Sequence, residues 1–404
     1  MAEARVLFGR VRPMLQSALV GMSTLPTAAV SEPQIKPAVS PATRLMSLDL
    51  FRGATIALMI LVNDAGDESA AYWPLRHSAW NGWTPTDLVF PFFLFIVGVA
   101  LAYSFRSRLA RGESRQELMK HVLWRGFLLL ALGVFLNGFP NHYHIHTLRF
   151  YGVLQRIAIC FVITSVLELW TGWRAQIAVI LGCLVGYWIL MRYVTVPGFG
   201  IPTHDMPILD PDRNIAAWLD RKLLMGHLYE VTRDPEGVLS TIPSVATCLL
   251  GLQTGKWLRS ARSGASKAGG MAIAGVVLFL AGEFFNTWFP INKKLWTSTF
   301  VLATAGLAMM ILALCYWVLD LKQWRGPWTK PFLIFGMNAI AAYVCAALVA
   351  HLLIYTGWGG ALYVKFIQPN FDPSNASLVF ALLFVLVCWL AMLALYRKKI
   401  FLKI

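Results

Sequence analysis

Ten stretches of sixteen or more mostly apolar residues punctuate this chain, at roughly 50–66, 87–105, 124–139, 152–170, 175–193, 238–255, 268–286, 297–319, 331–356 and 377–396. A bilayer's hydrocarbon core, ~30 Å thick, takes ~20 apolar residues as a helix. Backbone polar groups in lipid must be satisfied within the segment, which a helix does. The expected fold class is therefore all-α, a polytopic transmembrane helical bundle of about ten spans. Composition agrees, with 57% hydrophobic and only 14% charged residues, where soluble chains carry about 25% charged. Soluble, fibrous and disordered classes are excluded.

The net charge of +15 would point to nucleic acid in a soluble chain. Here 24 of the 35 Lys and Arg fall in the N-terminal segment, every second loop and the C-terminus. That is the asymmetry that holds loops on the cytoplasmic side, so the partner implied is a lipid bilayer and no nucleic acid is called for. Both termini are expected in the cytoplasm of a multi-pass integral membrane protein. The six cysteines lie inside apolar stretches with no CxxC spacing and read as small buried hydrophobes.

Residues 1–43, with Pro26, Pro33, Pro37 and Pro41 among small residues, read as a flexible tail, and 44–404 as the membrane domain. Two segments assigned to the non-cytoplasmic side are unusually polar: 64–86, and the loop 194–237, which carries Asp205, Asp210, Asp212, Asp220, Glu230, Asp234 and Glu236. A loop of over forty residues is more often functional than a mere connector. Helical periodicity over 214–228 predicts an interfacial helix.

Chemistry concentrates in residues 44–98. Ionisable groups in a span must face protein or a water-filled cavity. Asp49 and Arg52 share one helix face, as a salt bridge or as support for a site. Asn63 closes the first span. His77 follows among Trp73, Pro74, Trp80 and Trp83, which suit a packed lid, although a loop histidine is usually just solvated. An imidazole can take a proton from an attacking amine or hydroxyl, and a carboxamide can fix the ring or stabilise an oxyanion. Thr84-Pro85-Thr86-Asp87 is a helix start, so capping is weighted above catalysis for Asp87. Arg156 needs a carboxylate, a carbonyl or a ligand phosphate, Asp49 being one option. His142, His144 and His146 lack an acid or Cys partner, and no metal site is expected. No GxxxxGK[ST], GxGxxG after a strand, or HExxH is present, so nucleotide hydrolysis, dinucleotide redox and zincin chemistry are unsupported.

RLMSLDLFRG, ILVN, HSAWNGWTPTDLVFPFFLFIVG, GVLQRIAI, RDPEGVLSTIPS, GLQTGK, INKKLWTSTFVL, GMNAIAAYV and RKKIFLKI, in that order over 44–404, together resemble the heparan-α-glucosaminide N-acetyltransferase family of transmembrane acyltransferases. The resemblance implies acetyl transfer from cytosolic acetyl-CoA, as acyl donor, to an amino sugar or other glycan acceptor across the bilayer. It carries His77 over as the catalytic imidazole and Asn63 as its partner. Asp49, Arg52, Asn81, Asp87, Arg156, Asp234, Glu236, Asn292, Lys293 and Asn338 match motif positions without an assured role. A homodimer is also implied. Only a 43-residue segment stands where the animal members carry a large non-cytoplasmic domain and leading span, and the Asn63–His77 loop is slightly expanded. The expected location is a bacterial cytoplasmic membrane, and the expected acceptor an exported or cell-envelope glycan.

On this reading the phosphates of acetyl-CoA meet Arg106, Arg108, Arg111, Arg125, Lys256 and Arg259, which are equally ordinary positive-inside residues. His77 then acts as general base or as nucleophile through an acetyl-imidazole. The competing class is a transporter or flippase of a sugar or lipid-linked solute, which would show the same spans and buried charges.

Overall fold

The computed structural model describes residues 45–140 and 142–402; the expected tail over 1–43 lies outside them. The described residues form thirteen α-helices and no strand. In chain order these are α1 Met46–Asn63, α2 Val89–Ala110, α3 Arg115–Gly138, α4 Val153–Trp170, α5 Trp173–Tyr193, α6 Ile215–Leu223, α7 Thr241–Leu258, α8 Gly264–Phe285, α9 Ser298–Tyr316, α10 Thr329–Met337, α11 Ala339–Thr356, α12 Trp358–Leu362 and α13 Pro373–Arg397. Nine helical segments among them are long and apolar enough to cross a membrane.

The tenth, α7, is the centre of the bundle and packs against α2, α4, α5 and α9. Its hydroxyls lower its apolarity but are satisfied internally: Ser244 Oγ donates to Ser240 O (2.9 Å) and Thr254 Oγ1 to Leu250 O (2.9 Å). Small residues allow backbones to touch. A Cβ on Gly98 of α2 would lie 1.9 Å from Cys248 O, and one on Gly251 of α7 2.0 Å from Phe95 O.

The expected single span over 331–356 is instead two helices broken at Asn338, which ends α10 and precedes α11. The Asn338 side chain donates to Ile400 O (3.1 Å) and accepts from Leu402 N (3.0 Å), pinning the chain end. α10 lies against the first half of α1, where Gly53 and Gly336 face each other across backbones too close for a Cβ. The first span begins four residues earlier than the apolar run suggests. Asp49 and Arg52 are paired there at 3.2 Å, with Arg52 also donating to Gly336 O (3.3 Å), so the charges sit inside a helix rather than ending it.

Loops gather at two ends. At one end, 64–84 bonds to the start of α13 through Tyr72 to Asn375 (2.9 Å) and Asp67 to Ser377 (3.1 Å). Trp80 Nε1 there donates to Leu209 O (2.8 Å) in the long loop, and Arg149 reaches Asp234. At the other end, Asp320 holds Ser47 N (3.1 Å), Lys256 pairs with Glu168 (2.5 Å) and Arg108 with Glu113 (2.7 Å). The loop 194–237 carries α6, capped by Asn214 accepting from Ala217 N (2.9 Å), a shorter helix than the 214–228 periodicity suggests.

A candidate acid–imidazole site

The segment leading into α2 is built around one carboxylate. Thr84 and Asp87 form a capping box with Pro85 at the first helical position. Asp87 Oδ2 accepts from Thr84 N (3.0 Å) and from Ser78 N (3.0 Å), so the cap also draws in the preceding loop. Thr84 Oγ1 donates to Arg76 O (2.6 Å) and Thr86 Oγ1 to Pro74 O (2.9 Å), closing the loop on itself. The other oxygen, Oδ1, lies 2.7 Å from His77 Nδ1. Asp87 is fully buried and His77 45% exposed. An ionised carboxylate only accepts, so this contact favours a proton on Nδ1, with Nε2 as the nitrogen that accepts. Capping, weighted above catalysis in the sequence, takes one oxygen of this side chain, and the contact with His77 takes the other.

Lys293 completes the group. Its Nζ stands 3.3 Å from Asp87 Oδ1, 2.9 Å from His77 Nδ1 and 3.5 Å from Nε2. Burial lowers the Lys293 ammonium's pKa from its ordinary range, against the opposing pull of Asp87. Its loop is fixed to the His77 loop by Gly82 N donating to Ile291 O (2.7 Å) and Asn292 Nδ2 to Asn81 Oδ1 (3.2 Å). Gly82 has φ +91°, a conformation that glycine adopts without strain. Trp83 Nε1 donates to Glu283 Oε1 (2.9 Å) and anchors the other side. Lys293 was legible only as a motif position, since 216 residues separate it from His77. A usable signal existed: the pair Lys293-Lys294 stands on the end assigned to the acidic side, against the charge bias.

The remaining candidates distribute as follows. Asn63 is exposed, makes no hydrogen bond to His77 and lines a cleft with Asp64, while the His77 ring is met by Asp87. Asp49 and Arg52 serve the α1–α10 contact. Arg156 is fully buried at the His77 end, not paired with Asp49: it donates to Gly237 O (3.1 Å) and to Ser240 Oγ, and lies 5.2 Å from the Trp296 ring centre. Asp234 and Glu236 grip Arg149, each at 2.5 Å.

At the opposite end Arg106, Arg115, Arg259 and Glu168 line a cleft of about 460 Å3. Arg108 is occupied by Glu113, Lys256 by Glu168 and Gln176, and Arg125 lies over Phe161 at 5.2 Å. Of the cations expected to meet phosphates, Arg106 and Arg259 thus face the cleft, joined by Arg115. Among the described residues no group of three His, Cys, Asp or Glu stands close enough to hold a metal ion, and all six cysteines are free.

Fold and site together define a multi-pass integral membrane protein with an acid–imidazole pair at one end of a helical bundle. The lineage follows from comparison with known proteins: the chain belongs to the heparan-alpha-glucosaminide N-acetyltransferase family, whose catalytic-domain model matches residues 44–282. The human and mouse heparan-alpha-glucosaminide N-acetyltransferases are each 32% identical to it, over 91% and 90% of this chain and 62% and 61% of their own lengths. The chain thus spans about three-fifths of these relatives.

Proposed function

We propose that this protein transfers the acetyl group of acetyl-CoA, entering from the basic end, to an amine or hydroxyl of a glycan acceptor at the His77 end. The observation that carries the reading is the 2.7 Å contact between His77 Nδ1 and buried Asp87, in a chain of this family. With Nδ1–H donated to Asp87, Nε2 takes the proton of the acceptor as its nitrogen or oxygen attacks the thioester carbon. The C–S bond then breaks and the imidazolium returns the proton to the departing thiolate, leaving acetylated acceptor and CoA. Asp87 stays ionised throughout and stabilises the imidazolium, as in other acid–imidazole pairs. Asn63, whose amide is uncommitted among the described residues, is the donor we assign to the acetyl oxygen. The cleft with Arg106, Arg115 and Arg259 offers the donor's phosphates guanidinium partners. The bilayer would be a bacterial cytoplasmic membrane, with the basic end in the cytoplasm.

The test is CoA release by purified protein given acetyl-CoA and glucosamine. His77→Ala and Asp87→Asn should each lose about 10²–10⁴-fold in rate, and Asn63→Ala should lose rate less steeply. A His77→Ala protein of undiminished rate would refute the assignment. Solute flux through reconstituted protein without CoA release would instead identify a carrier.

A further inference from the structure

A second cleft, of about 420 Å3, opens at the His77 end between α1, α11, α12 and α13. That volume is within the ~300–1,000 Å3 of small-ligand sites. Its walls are Leu353 and Ile354 of α11, Tyr363, and Phe380 and Phe384 of α13, with Asn63 and Asp64 at its edge. α11 is the least buried of the nine spanning segments, and Ile354 is 77% exposed. The apolar wall therefore lies on the outer face of the bundle.

Asp64, partly buried at the rim, is the one carboxylate lining this cleft. Among the described residues its carboxylate makes no hydrogen bond and no ion pair, and burial alone raises its pKa to about 7. A lone carboxylate is too few ligands for a metal ion, and burying one against a second protein copy without a cation would be costly. A free sugar gains nothing from walls of Leu, Ile and Phe open to the bilayer.

We infer that this cleft seats a membrane-borne amine, an amphiphile whose ammonium pairs with Asp64 while its hydrocarbon chain lies along Leu353, Ile354, Phe380 and Phe384. The inference rests on the acetyl-transfer reading for its catalytic half, and names the acceptor class as a lipid-linked amino sugar. Asn63 lines the same cleft, so the bound amine sits beside the amide assigned to the acetyl oxygen.

The full chain in phosphatidylcholine nanodiscs, titrated with octyl glucosaminide, octyl glucoside and glucosamine, tests this by tryptophan fluorescence. Octyl glucosaminide should bind at least about tenfold tighter than either control. Asp64→Asn should erase the preference over octyl glucoside. Gly360→Phe, which lines the cleft and whose added Cβ meets no atom within 4 Å, should weaken octyl glucosaminide binding about tenfold while the protein still folds. Wild-type affinity in Asp64→Asn, or glucosamine binding as tightly as its octyl glycoside, would overturn the proposal. So would a change of oligomeric mass in Gly360→Phe without octyl glucosaminide binding to the parent, since the cleft would then belong to a second copy. Asp64-dependent binding with no acetylation from acetyl-CoA would retain the site and remove the acetyl-transfer reading. Acetylation of both amines at equal kcat/KM, unaffected by Asp64→Asn, would do the reverse.

Discussion

Asp87 shows how much one side chain can carry when its two oxygens face different partners. The helix-start pattern around it was readable because capping is local: Thr84, Pro85 and Asp87 are neighbours in sequence. Its grip on His77 was not, since a loop of ten residues has many conformations, and this one is selected by bonds such as those from Ser78, Thr84, Thr86 and Gly82. Asp220 makes a different residue-scale point. It is buried in α6, accepts from Val238 N (3.0 Å), and has a pKa raised to about 6, chiefly by burial with Asp234 adding to it. A carboxyl whose folded pKa exceeds its unfolded value holds its proton more tightly when folded. Stability is then lost as pH rises through roughly 4 to 6, by about 3 kcal/mol at completion. Asp220→Asn keeps the acceptor oxygen and drops the charge. It should melt higher than the parent at pH 8, with the advantage fading toward pH 4; an equal gain at both pH values would remove burial of charge as the cause.

The helices were largely legible, because a run of apolar residues long enough to cross lipid has few alternatives. Two elements owe their character to their neighbours. α7 is less apolar than the other spans, yet sits innermost, since surrounding helices and its own carbonyls satisfy its hydroxyls. The break at Asn338 is invisible to hydropathy, because an amide in the middle of an apolar run is costly only until the chain end at Ile400 and Leu402 arrives to meet it. Asn338→Ala leaves those two backbone groups without partners and removes the reason for the break. A loss of about 1–3 kcal/mol is expected, read as a lower melting temperature with faster proteolysis after Arg397; unchanged melting would show the break to be held by other contacts. Gly98→Val drives a side chain into α7 backbone and should cost about 1–3 kcal/mol or more, seen as loss of monodisperse protein. A stable, monodisperse variant would contradict the close α2–α7 approach.

For the whole molecule, the charge asymmetry and the loop contacts agree on two ends, one basic and one carrying the His77 loop, the long acidic loop and the Lys293 turn. We expect the basic end in the cytoplasm: a phosphatase fused after Arg397 should be inactive in cells, and one fused within 225–230 active. The opposite pattern would reverse the donor and acceptor sides.

By itself the sequence determined the fold class, the approximate spans, their charge asymmetry and the family. Each of these is written in local composition or in contiguous motifs that lipid and backbone chemistry read directly. Tertiary structure alone decided that His77, Asp87 and Lys293 meet, that Asn63 shares a cleft with Asp64, and that Arg156 is not paired with Asp49. Those outcomes depend on which loops close over which helix ends, a matter of contacts between segments distant in the chain.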